Sequence, residues 1–248
     1  MFRWLMIVVI CLSPLSRAEL LKVAVPKEGY PPYIIVKNKN VTGVMIEVLN
    51  TACHQLGLSV QYQFYPEVRS KLLLDQGVVH GRMEAPAWSD NPKRYHWTQG
   101  IVNIEDLFVY RSDASHQFDS LDDVQDTTII THLGYYYPTL DPLFQSDRAR
   151  RQDYPSEVAM LNGLMSAKDG PITVAIMDRH VTEWLIRHNI KYTEQFSYSS
   201  FEVDNTPLHF QFTRSEFTDL WVPKIKEQIQ ILLDSGAVEE AMERSMAD

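Results

Sequence analysis

The sequence predicts an α/β protein built as two lobes, and three observations predict it. Short apolar strands alternate with segments of helical period, the pattern of βα units. That pattern occurs in two runs of about 90 residues, each the size of a small domain. A polar stretch, 111–120, separates the runs. Composition agrees: of 248 residues, 45% are hydrophobic and 22% charged, ordinary for a chain that buries a core.

Each element follows from local pattern. Leu20 to Val25 is a short strand stopped by Pro26. Gly29-Tyr30-Pro31-Pro32-Tyr33 is a loop, because paired prolines forbid a helix. Gly43 to Leu56 places apolar residues at 44, 45, 48, 49, 52, 53 and 56, one face of a helix that Thr42 can cap and Gly57 can end. Leu58 to Phe64 alternates as a strand, Val68 to Asp75 is a short helix, and a strand begins near Val78. Leu107 to Tyr110 is the strand before the polar stretch. The second run opens at Leu121-Asp122-Asp123-Val124, followed by a strand over Thr128 to Thr131. Helix, strand and helix follow over 157–167, 173–177 and 181–188. A strand over 208–212 and helices over 221–233 and 237–246 complete the chain. Alternation of this kind predicts parallel sheets.

Charge narrows the partners. Lys and Arg number 23 against 32 Asp and Glu, a net charge of −9. An acidic balance argues against nucleic acid, which demands Lys/Arg stripes. No apolar run reaches the length of a membrane span. Residues 1–18 read as a cleavable signal peptide: Arg3 begins it, Trp4 to Leu12 is the apolar centre, and Ser16-Arg17-Ala18 offers small residues before Glu19. Ile10 before Cys11 argues against a lipoprotein anchor. Export to the periplasm follows, and Cys53 becomes the only thiol, placed on a helix. Eight scattered His form no HxH or HExxH pattern, and no GxSxG, P-loop or dinucleotide-binding glycine motif occurs. No metal or cofactor is implied. The Arg148-Ala149-Arg150-Arg151 run reads as a solvated face.

Several segments, in their order, resemble a family. They are Tyr30-Pro31-Pro32-Tyr33, Gly43-Val44-Met45-Ile46-Glu47, Asn91-Pro92-Lys93-Arg94-Tyr95, Leu121-Asp122-Asp123-Val124, Ala175-Ile176-Met177-Asp178 and Asp234-Ser235-Gly236. Together they resemble family 3 of the periplasmic solute-binding proteins, the polar amino acid receptors of ABC importers. The resemblance implies a type II periplasmic binding protein fold. One lobe is 19–108 plus 206–248, the other 109–205. The chain crosses near Phe108–Tyr110 and Val203–Pro207, and hinge closure at the crossings traps the ligand.

The resemblance also implies a site. Arg94 would grip an α-carboxylate, since a guanidinium fork matches it bidentately, with Ser89 adding a hydroxyl. Asp178 ends an apolar strand, where cleft residues stand in α/β sheets, and would accept an ammonium. It also suits the N-cap of the next helix. Tyr30 would cover the ligand side chain, with Tyr33 and Trp88 on the same wall. In Leu133-Gly134-Tyr135-Tyr136-Tyr137-Pro138, tyrosines replace the family's small residues. Tyr135 and Tyr136 would shrink the pocket or rebuild it around stacking.

The function expected is capture of an amino acid or similar small polar solute by a monomer, with handover to a membrane ABC permease. Two other readings stay open. One is a dehydratase-like enzyme on the same fold, with Glu84 as acid or base near Arg94. The other is a sensing partner of a membrane receptor. Glu84 and Glu47 are the carboxylates with a candidate buried role.

Overall fold

The computed structural model describes residues 19–38, 40–167 and 172–247. The expected signal peptide lies outside the described residues.

The first half of the chain runs β1 (Leu20–Pro26), β2 (Ile35–Lys37), β3 (Asn40–Thr42), α1 (Val44–Gln55), β4 (Ser59–Tyr65), α2 (Glu67–Asp75), β5 (Gly81–Glu84), β6 (His96–Trp97) and β7 (Val102–Arg111). Next come β8 (Thr128–His132), α3 (Asp141–Gln145), β9 (Arg150–Tyr154), α4 (Glu157–Ser166), β10 (Thr173–Asp178), α5 (Arg179–Arg187) and β11 (Phe196–Tyr198). The chain closes with β12 (Asp204–Phe212), α6 (Glu216–Asp234) and α7 (Ala237–Ala247).

Periodicity explains the helices. α1 buries Val44, Met45, Ile46, Val48, Leu49, Ala52 and Cys53, the stripe its spacing predicts. Burial pushes the Cys53 thiol up to about 12, so it stays protonated and inert. Gly43, not Thr42, precedes α1. Its φ is 106°, and a Cβ there would meet the Tyr33 and Pro32 carbonyl oxygens at 2.6 and 2.7 Å, so only glycine lets the chain turn under the tyrosine loop.

α6 begins five residues before the expected Trp221. A capping box starts it: the Ser215 hydroxyl accepts from the Thr218 N–H, and the Thr218 hydroxyl accepts from the Ser215 N–H. Ser215→Ala should cost about 1 kcal/mol, a drop of about 2–4 °C in melting temperature read by circular dichroism.

Ten strands form a sheet in the order β4-β1-β5-β12-β7-β10-β8-β9, with β11 added to β7 and β6 to β12. β1 is parallel to β4 and β5, and β8 is parallel to β10 and β9, as the alternation predicts. The sheet is nevertheless mixed. β7 and β12 are the long strands joining its two halves, and they run antiparallel to each other, with Asp204 opposite Asp106 and Leu208 opposite Val102. Midway, β12 changes partner: His209–Phe212 pairs with β5 instead. The switch between halves therefore falls at 102–106 and 204–208.

β9 is a strand the sequence pattern missed. The basic run is solvated as expected at Arg148 and Arg150, and it continues into an edge strand, Arg150–Tyr154. An edge strand carries charge to block further pairing, so the apolar alternation that marks inner strands is missing. One apolar cluster spans both halves, packing α1, α6 and α7 against β1 and β12 and running on to α4, α5 and the far face of β10. Another gathers Phe108, Phe118, Ile129, Leu140, Val174 and Ile176.

Candidate functional site

A cavity of about 180 Å³ opens where the two halves of the sheet meet at the β7–β12 crossing. Its wall draws on β5, α2, the Tyr30 loop and the Trp88 turn from one side. β7, the end of β10, the 132–137 turn and the start of α4 complete it.

One wall carries an ion cluster that sequence reasoning missed. Arg82, on β5, is only 3% exposed. Its Nη1 stands 2.5 Å from a Glu67 carboxylate oxygen, and its Nη2 donates to Glu84. Its Nε has no hydrogen-bond partner. Glu84 also accepts from the Ala85 N–H at 3.0 Å, so the carboxylate on which the enzyme reading rests is tied down by its neighbours. Arg82 and Glu84 sit two apart on one strand, hence on the same face. That i, i+2 pairing of opposite charges was the available signal.

The opposite wall carries Asp178, 2% exposed. Its Oδ1 accepts from the Val181 N–H at 2.8 Å and from the Tyr33 hydroxyl at 3.1 Å, and its Oδ2 from the Glu105 N–H at 2.9 Å. The helix-capping role is thus real, and Asp178 also reaches the cavity wall. Burial pushes its carboxyl up to about 6, against the pull of its Val181, Glu105 and Tyr33 donors and of His180.

Beside it stands Asp106, also missed. It lies directly opposite Asp178 across β7–β10 and directly opposite Asp204 across β7–β12. Burial first, then Asp178 and Asp204, push its carboxyl well above the usual range. Further round, Glu157 opens α4 and lies 3.8 Å from His132 Nε2. Burial pushes its carboxyl up as well.

Aromatic rings supply the rest. Tyr30 stacks on Tyr33 at 5.4 Å and meets Tyr135 edge-on at 6.3 Å, bringing the two walls into contact. Tyr33 itself is core, fully buried behind the wall. The 133–137 turn is braced rather than loose. The Tyr137 hydroxyl accepts from the His132 N–H at 3.0 Å, and Arg151 donates to the Tyr135 carbonyl at 2.9 Å. Tyr135 stacks on His132 at 4.0 Å. Burial raises the phenols of Tyr30, Tyr135 and Tyr137 well above their ordinary value, so all three are neutral.

Of the residues expected at the site, Tyr30, Trp88, Tyr135, Tyr136 and Asp178 line the cavity. Arg94 and Ser89 do not. Arg94 has a side chain 55% exposed, lies 3.5 Å from Asp75 and covers the Tyr95 ring. The short 3-10 turn Pro92–Arg94 turns it outward. Ser89 ends the preceding turn, its N–H donating to the Pro86 carbonyl. The anchor expected at Arg94 is therefore corrected: the buried guanidinium of this cavity is Arg82. Glu47 is exposed and pairs with Arg244 at 2.5 Å, far from any buried role.

No protein-family model matches the chain, and no curated protein matches it in sequence. Solved structures match its fold. The GluR0 ligand-binding core in complex with L-glutamate aligns over 93% of this chain and 99% of its own, at 15% identity and TM-score 0.76. The amino acid ABC transporter substrate-binding protein AbpA of Streptococcus pneumoniae, bound to L-arginine, aligns over 92% and 94% at 14% identity and TM-score 0.75. A histidine kinase sensor domain with similarity to periplasmic binding proteins aligns over 92% and 96% at 16% identity and TM-score 0.76. The fold is that of the type II periplasmic binding proteins.

Proposed function

We propose that this protein is an exported solute-binding protein of the family 3 kind, whose two lobes close on a small polar solute of amino acid size for delivery to an ABC importer. The observation that carries this reading is the cavity at the sheet crossing, walled by buried charges on both sides and by tyrosines from both sides. One lobe takes residues 19–101 with 209–248 and the other 107–203, a few residues from the boundaries expected at 108/109 and 205/206, with the crossing of β7 and β12 between them. The antiparallel stretch shared by β7 and β12 is the hinge, because among the described residues these two strands join the lobes and a small change of twist in both re-aims one lobe. Trp88, Tyr30 and Tyr135 supply stacking area at low entropy cost, and the buried carboxylates set polarity.

Isothermal titration and thermal shift against amino acids and small amines test this reading. A saturable ligand at 100 times its dissociation constant should stabilise the protein by about 2.7 kcal/mol, several degrees of melting temperature. A flat response from folded protein across the panel overturns it. Ligand sensing is a second reading, favoured by the equal match to a histidine kinase sensor domain. An adjacent permease and ATPase gene would decide for import.

A further inference from the structure

We propose that Asp106 is the receptor for a ligand ammonium group, and that the solute is a small organic amine without a carboxylate. This rests on the solute-capture reading and names its ligand class.

The row Asp178–Asp106–Asp204 crosses three neighbouring strands with its members directly opposed. Opposed residues stand about 5 Å apart on one face, and like charges there repel. The protein satisfies the outer two members. Asp178 takes three donors, from Val181, Glu105 and Tyr33. Asp204 takes two, the Asn205 N–H at 2.8 Å and the Thr206 hydroxyl at 3.1 Å. The central Asp106 side chain has no hydrogen bond or ion pair to any described residue, and it lines the cavity. A half-buried carboxylate that lines a cavity and lacks a protein donor is open to an external cation.

The remaining wall charges agree. Lys71 and Arg82 are its fixed cations, facing Glu67, Glu84, Asp90, Asp106, Glu157 and Asp178. Both cations are already matched: Lys71 lies 2.9 Å from Asp90, and the two Arg82 terminal nitrogens go to Glu67 and Glu84. The Arg82 Nε is sealed from the cavity surface. A ligand carboxylate would therefore have to displace a glutamate from Arg82, whereas an ammonium meets an unmatched acid at once. Tyr30, Trp88 and Tyr135 add ring faces, which attract cations and fit an alkyl or aryl body. Asp178, the acid first expected to hold the ammonium, has its oxygens engaged by the protein and positions the row instead.

The test is isothermal titration of the purified protein with 1,4-diaminobutane and phenethylamine in one arm and with lysine, arginine, glutamate and glutamine in the other. The parent, Asp106→Asn and Asp106→Glu are compared, each first shown to melt cooperatively. The expected result is amine binding that falls about 30-fold or more in Asp106→Asn and survives, weakened, in Asp106→Glu. Amine binding that stays within threefold in Asp106→Asn overturns the role of Asp106. Amino acid binding without amine binding overturns the ligand class and leaves solute capture standing. A folded parent that binds neither arm sinks the inference and counts against solute capture as well.

Discussion

Arg82→Ala is expected to lower the melting temperature by roughly 6–12 °C. The guanidinium is 3% exposed and, among the described residues, is the one cation within pairing distance of both Glu67 and Glu84, whose side chains are 20% and 15% exposed. Removing it leaves two carboxylates facing each other across a cavity wall. Breaking a buried ion pair from one side typically costs about 3 kcal/mol or more, and for a chain of this size each kcal/mol moves the melting point by about 2–4 °C. The loss should reverse in large part when Glu67→Gln and Glu84→Gln accompany Arg82→Met, because replacing the whole cluster removes the uncompensated charge. Circular dichroism melts of the single and triple variants check this. A single variant melting within a degree or two of the parent would show that the cluster does not stabilise the fold.

The second large effect is on pH. Burial raises the carboxyls of Asp178, Asp106 and Glu157 above their unfolded values, Asp178 to about 6. The folded state therefore keeps protons that the unfolded state has released, so stability of the ligand-free protein falls as pH rises through about 4 to 6. Asp178 alone contributes on the order of 3 kcal/mol of that fall. Asp106 extends it upward, because burial first, then Asp178 from β10 and Asp204 from β12, oppose its ionisation. The exposed Asp90 and Asp123 act the other way, since partners lower their carboxyls, but only below pH 4. His80, half-buried on the far side of β1, also opposes the trend near pH 6.5, because burial lowers its pKa. Calorimetry at pH 4.5, 6 and 7.5 should show the melting point dropping by several degrees across the range, and Asp178→Asn should flatten the drop. A melting point that climbs steadily over that range would contradict the burial of these acids.

Much of the architecture was legible because it depends on local periodicity. The apolar stripe of α1, the buried run of β10 and the amphipathic α6 each carry their burial pattern in consecutive residues. Asp178 was legible too, since an acid between a buried strand and a helix start is both a cap and a cleft residue. The tyrosines at 30 and 135 stand in the cavity wall. β9 was not legible: its Arg and Asp residues carry no apolar alternation, and the edge position that explains them is a property of the sheet.

The choice between two arginines shows the limit most directly. Arg94 stands in the segment that carries the family resemblance, while Arg82 stands in a four-residue strand with weak pattern. Burial was decided by β5 being clamped between β1 and β12, with Arg82 opposite Ala24 and Gln211. Asp106 is similar. Alternation along β7 says that Glu105 and Asp106 face opposite ways, yet not which one meets Asp178, 72 positions downstream on β10.

The sequence by itself determined the elements, the two-lobed α/β class and the aromatic character of the cleft, because those follow from residue spacing within one strand, helix or turn. Only the tertiary structure decided which charges share the cavity. Register between strands distant in sequence aligned the three aspartates and buried one arginine while leaving the other in solvent, and no window of local sequence contains that register.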